Sequence, residues 1–215
     1  MAFDCTCPAT ALTEIPQVTC PENLGQIQKI VFSRAFSFDS GATPSDDITV
    51  KANWDTKIAA SDETKIVVFP TFVEAFESSD SAPVTEGGND NSTLDGAPIV
   101  LGAETPVFTG MMRGVSGVAA TAMRKLMCER DLEVIFINEW DKIIGRDLSS
   151  GLDGSVVGGF KLTPYSLFIG DSQVKGKNTD DKIMFQFSLR YEWRDTLVIK
   201  TPASGFSPLA DIKPA

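Results

Sequence analysis

From Lys182 to Trp193 the chain reads KIMFQFSLRYEW, with Ile183, Phe185, Phe187, Leu189 and Tyr191 on one alternation and Gln186, Ser188 and Arg190 on the other. A period of two in apolar and aromatic residues is the pattern of a half-buried strand. A second layer must therefore cover that face. Other runs have the same texture: Ile27 with Ile30 to Phe32 and then Phe36 and Phe38, ITVKANW at 48–54, KIVVF at 65–69, the stretch APIVLGAETPVFTGMMRGV, FKLTPYSLFIGDSQVKG, and TLVIK. Pro70 confines KIVVF to the edge or end of a sheet. LEVIFIN and KIIGRDL flank EWD and predict a β-hairpin.

One stretch departs from this pattern. Ser116 is a good helix N-cap, and Val118, Ala119, Ala122, Met123, Leu126 and Met127 recur at helical spacing. Arg124, Lys125 and Arg130 fall toward the C-terminal end, where cations suit the helix dipole. The expected fold is mainly β: a β-sandwich or open barrel with one packed α-helix at about 116–130, long loops and extended terminal arms. With 215 residues, 42% of them hydrophobic, the chain is large enough for one substantial core. The expected organisation is an extended arm at 1–24, broken by Pro8, Pro16 and Pro21, a domain at 25–201, and a second arm at 202–215. Residues 77–96 and 148–159 read as loops, the latter as a flexible Gly-rich connection.

Function is narrowed first by what is missing. The chain has no histidine, which removes the commonest general base and every Ser-His or Cys-His nucleophile. RGVSGV around Ser116 is not a nucleophile elbow, since Val118 stands where glycine is needed. No phosphate-binding glycine loop is present. Carboxylates are numerous, but their number says nothing about the geometry an acid pair needs. Cys5, Cys7 and Cys20 cluster at the N-terminus, with Cys128 far away on the helix. Their C-x-C-x₁₂-C spacing matches no common zinc site, which leaves reduced thiols or a disulfide. NDNSTLDG at 89–96 offers oxygens for calcium but departs from the calcium-loop pattern. A non-enzymatic chain is expected, with no catalytic, cofactor-binding or metal-ligating residue and no cofactor.

The net charge of −10 disfavours binding to nucleic acid or to an anionic membrane, and no run approaches the roughly 18 apolar residues of a membrane span. The N-terminus lacks the charged-then-apolar pattern of a secretory signal, so a cytoplasmic site of synthesis and assembly is expected. No basic residue lies between Lys65 and Arg113, whereas Glu74, Glu77, Asp80, Glu86, Asp90, Asp95 and Glu104 all do. That segment is either a solvated acidic loop or a wall that must not hold polyanions. Many loops and arms around one core fit a protein that works by contact with copies of itself.

CPENLGQIQKIVFSR, LDGAPIVLG and MRKLMCERDLEVIFIN resemble a structural protein of tailed phages that infect Bacteroidetes, including the crAss-like group, over about two thirds of the chain. The order strands, long loop, strand, helix, hairpin, final strands is similar to that of the tail tube protein family. That resemblance implies a virion protein assembled in the host cytoplasm into a ring, commonly a hexamer. Its partners would be itself and other virion proteins, with DNA passing through unbound. It would match the helix at 116–130 to the family's flanking helix and make 41–62 the loop that reaches a neighbouring ring. An acidic lumen would repel DNA rather than trap it. The alternatives are a head-tail connector ring or a capsid decoration protein, separable by their symmetry. From another class comes a carbohydrate-binding β-sandwich, which would want Trp54, Trp140 and Trp193 grouped and exposed.

Overall fold

The computed structural model describes residues 23–34, 38–39, 47–88, 96–149, 154–173 and 180–214. The first half of the chain forms β1 (Ile27–Ser33), β2 (Phe38–Asp39), α1 (Lys51–Ala59), β3 (Val67–Val68), β4 (Val73–Ser78), β5 (Pro83–Glu86), β6 (Ile99–Ala103) and β7 (Val107–Arg113). Then come α2 (Gly117–Lys125), β8 (Glu133–Asn138), β9 (Ile143–Asp147), β10 (Val156–Gly158) and β11 (Phe160–Lys161). The chain closes with β12 (Phe168–Gln173), β13 (Lys182–Ser188), β14 (Leu197–Lys200) and α3 (Pro208–Asp211). The fold is mainly β, as expected, in three antiparallel sheets with no closed barrel among the described residues. The large sheet runs β2-β10-β9-β8-β1-β3, with β11 on β8 and β14 on β9. A four-stranded sheet runs β12-β13-β7-β4, and β5 and β6 form a separate ribbon.

The apolar runs IVF of β1 and VIFI of β8 do not alternate, and all six residues of β8 are buried. A strand can afford such a run only when both its faces are covered. One face of the large sheet packs Phe32, Phe136 and Ile144 against Phe108, Phe185 and Phe187 of the four-stranded sheet. Phe187 meets Phe108 at 5.6 Å and Phe32 edge-on at 5.8 Å, within the favourable range for aromatic pairs. The opposite face packs Val31, Ile135, Ile137 and Ile143 against Ile48, Trp54, Phe206 and Ile212. The molecule thus has three layers: small sheet, large sheet, and a cover made from α1 and the C-terminal segment.

That third layer corrects two expectations. ITVKANW is not a strand, because Asp47 folds the chain into a turn, accepting from Thr49 N at 2.8 Å through Oδ1 and from Val50 N at 3.1 Å through its carbonyl. Helix α1 follows, and the Trp54 indole, fully buried, donates to the Ile48 carbonyl at 2.7 Å. The C-terminal segment is likewise no loose arm. Ser207 accepts from Ala210 N while Asp211 accepts from Ser207 N, a reciprocal cap on α3. Lys29 on β1, only 6% exposed, donates to the carbonyls of Pro208 (3.3 Å), Leu209 and Ile212 (2.7 Å). Burial lowers its pKa to about 8, with Asp141 acting in the opposite direction.

Three further differences are local. Helix α2 forms where expected, and Ser116 Oγ accepts from Ala119 N at 3.2 Å, but its buried residues are Ala120 and Met123. Val118 and Ala122 face solvent, because the helix lies along one sheet edge and is rotated from the stripe read in the sequence. The connection at 148–159 contains β10, and the buried Asp147 ties its ends together by accepting from Ser149 N and Gly154 N. Tyr191 leaves the alternating face and is exposed, since β13 ends at Ser188 and the chain turns. The β8–β9 hairpin stands as expected, with Phe136 opposite Ile144 and Asn138 Oδ1 closing the turn by accepting from Trp140 N and Lys142 N.

Candidate functional site

Strands β4 and β7 are neighbours in the four-stranded sheet, with Val73 opposite Met112 and Ser78 opposite Phe108. Their ladder does not stop at the sheet's boundary. Ser79 N donates to the Val107 carbonyl at 2.7 Å and Glu104 N to the Ala82 carbonyl at 2.8 Å. The pairs Pro83 with Ala103, Val84 with Gly102, Thr85 with Val100 and Glu86 with Ile99 carry it outward. At about 3.3 Å per residue, the four residues of β5 make about 13 Å of ribbon beyond the link at 79–82. It is an arm, and among the described residues no layer lies behind it: every residue from Glu77 to Glu86 is exposed, and so are Ala97 to Leu101, with Gly102 buried nearer the base.

The base of the arm is held firmly. A bulge between Glu74 and Glu77, with Ala75 at φ 48°, turns the strand as it leaves the sheet. Phe76 stacks on Phe108 at 5.7 Å. Glu74 accepts from Lys182 Nζ at 3.1 Å and pairs with Arg113. Partial burial acts to raise its pKa, but the hydrogen bonds and charges of Lys182 and Arg113 outweigh this and hold it below the ordinary carboxylate value.

The tip is apolar and acidic together. Val84, Ile99, Val100 and Leu101 are each 43–54% exposed. A single exposed aliphatic residue is ordinary, but four on one short ribbon, spread over both its faces, mark it as a surface for contact. Alternation and register place Val84, Glu86 and Ile99 on one face and Thr85 with Val100 on the other. Leu101 is the extra residue of a bulge. Glu86 adds negative charge at the tip and Glu77, Asp80 and Glu104 add more toward the base, with no cation between Lys65 and Arg113 in the sequence to offset it. Both outer edges of the ribbon lack a strand partner among the described residues, and a lone two-stranded ribbon is marginal in water.

The sequence nominated no catalytic, cofactor or metal residue. Cys5, Cys7 and Cys20 lie outside the described residues, as does the calcium candidate 89–96 except Gly96; Cys128 is an exposed free thiol. No group of three or more His, Cys, Asp or Glu suited to a metal exists among the described residues. No described helix is long and apolar enough to cross a membrane. Trp54, Trp140 and Trp193 stay apart: the first is buried, the second half-exposed over Gly25, the third packed edge-on to Phe108 and Phe160. Of the 41–62 segment, the described part holds α1 and the buried Trp54, so it is a covering layer and not a free loop. The projecting element lies within 77–106 instead. The sequence predicts a loop over 77–96, yet 83–86 form β5; PVTE holds a single aliphatic residue, so only IVLGA carries a strand signal.

The sequence matches no protein-family model and no curated protein. One similar solved structure is the C6-symmetric tail of an empty gene transfer agent (GTA) particle. The two share 14% identity over 62% of this chain and 87% of that one, with a TM-score of 0.31. Similarity at that level carries no argument about this chain's function.

Proposed function

We propose that this chain is a non-enzymatic virion structural protein of tailed phages, of tail tube type, that assembles with copies of itself into a ring through which DNA passes unbound. The observation that carries this reading is the arm: a two-stranded ribbon of Pro83–Glu86 on Ile99–Ala103 with exposed aliphatic side chains and, among the described residues, no core of its own to bury it. Such a ribbon gains stability only when another surface covers its apolar side chains or pairs with its edges. The sequence resemblance to tail proteins, the strand-helix-hairpin order around α2, and the net charge of −10 support the same reading. A lumen of acidic character lets a polyanion move without the counterion-release attraction that cations would supply.

The test is mass and shape in solution. Light scattering of the purified full chain gives a mass several times 23.2 kDa, and negative-stain images of the same sample show rings or stacked tubes. A monomer at every concentration, with no rings, removes the proposal.

A further inference from the structure

If copies associate through the arm, each must also carry the surface that receives it, and the inference below rests on that reading. A groove of about 320 Å³ opens between β9, β11 and the turn that follows β13. Its apolar wall is aromatic: Phe160 lies beneath Trp193, which meets it edge-on at 5.3 Å, and Tyr191 stands exposed beside them. Its rim is basic. Lys161 and Arg190 line the groove, are exposed, and have no ion-pair partner among the described residues. Arg146 reaches in from β9 with its Nε buried and without a hydrogen-bond partner, while its terminal nitrogen stands 3.9 Å from Glu133. Lys161 and Arg190 also line the adjoining hollow of about 180 Å³, where Arg130 joins them.

In a chain of net charge −10, this grouping of cations is out of keeping with the whole. Glu192 and Asp195 share the groove, so its surplus of positive charge is small. A polyphosphate needs a stronger excess than that. A strand with a carboxylate every few residues and aliphatic side chains between them needs no more. The ribbon offers that mix across its two strands: Val84, Glu86 and Ile99 share one face, and Glu104, whose N–H donates to the Ala82 carbonyl, follows just past β6 toward the base.

We infer that this groove receives the β5–β6 arm of a second copy, its aromatic wall covering Val84 and Ile99 and its Lys161 and Arg190 meeting Glu86 and Glu104. Charge pairs at a desolvated contact fix which surfaces meet, and the apolar area supplies most of the affinity.

Mixing unlabelled and ¹⁵N-labelled full chains and treating the assembly with a carbodiimide, which joins a lysine amine to a carboxylate in contact, tests this directly. Mixed-isotope peptides joining Lys161 to Glu86 or Glu104 are expected. Arg190→Glu should weaken association about tenfold or more, and Glu86→Arg in the same chain should recover it. Assemblies that form normally in Arg190→Glu, with Lys161 joined only within its own chain, overturn this inference and leave self-assembly standing. A chain that never associates overturns both.

Discussion

Ile99-Val100-Leu101 is the apolar run of β6, and Ile135-Phe136-Ile137 closes the four-residue apolar run VIFI of β8, a strand of similar length. The first run is 46–54% exposed and the second at most 2%. Local sequence chemistry is nearly the same, so the difference lies in what the rest of the chain supplies. Strand β8 has a sheet on one side and the α1 and C-terminal cover on the other, whereas among the described residues β6 has only β5 beside it. One run is satisfied within a single chain, and the other is left for a neighbour. A core made in this way fixes the fold, and a run left open in this way fixes what the fold can join.

This contrast can be broken by substitution, and the largest effect belongs to the buried layer. Phe187→Ala removes a ring packed against Phe32, Phe108 and Phe136, and should lower unfolding free energy by about 3–5 kcal/mol in a denaturant titration. Next in size is Lys29→Met, which leaves the carbonyls of Pro208, Leu209 and Ile212 without their donor. A loss of about 1–3 kcal/mol at neutral pH is expected. Lys29 also sets a pH dependence. Its pKa is about 8 in the folded chain and 10.5 ordinarily, so between those values the unfolded chain holds the extra proton. Stability from this group therefore rises with pH across that window, and the slope should vanish in Lys29→Met. The smallest effect on stability belongs to the arm. Ile99→Ser with Val100→Ser should shift unfolding by under about 0.5 kcal/mol per residue while removing association seen by light scattering. If the pair instead destabilises the lone chain as Phe187→Ala does, the contrast between the two runs is lost.

The legible parts of the fold were those where one short-range pattern decides. Ile183, Phe185, Phe187 and Leu189 alternate and are buried, and Ser116 caps α2, because strand period and cap chemistry are properties of a few adjacent residues. Ile48 to Trp54 was misread because its β-branched residues suggest a strand, whereas the Asp47 turn and the pocket awaiting Trp54 make it a turn and a helix. Propensity yields there to a tertiary contact. The arm's acidic character was legible, but its exposure was not. An unbroken run such as Ile99-Val100-Leu101 normally signals burial on both faces, and only the sheet order shows that no described strand other than β5 lies against it. The groove at Lys161 and Arg190 was invisible in the sequence, since its members come from β9, β11 and a turn about thirty residues further along.

The bond from Lys29 to Ile212 spans 183 residues, which gives the fold a property that depends on time. During synthesis at about 5–20 residues per second, strand β1 emerges roughly 10–40 s before the carbonyls that accept its lysine. Until then the ammonium is left to water and Trp54 lacks the cover of Phe206 and Ile212. The third layer can therefore close over β1 only after Ile212 has been made, and a chain stopped short of α3 keeps Lys29 hydrated and that face of the large sheet without its C-terminal cover.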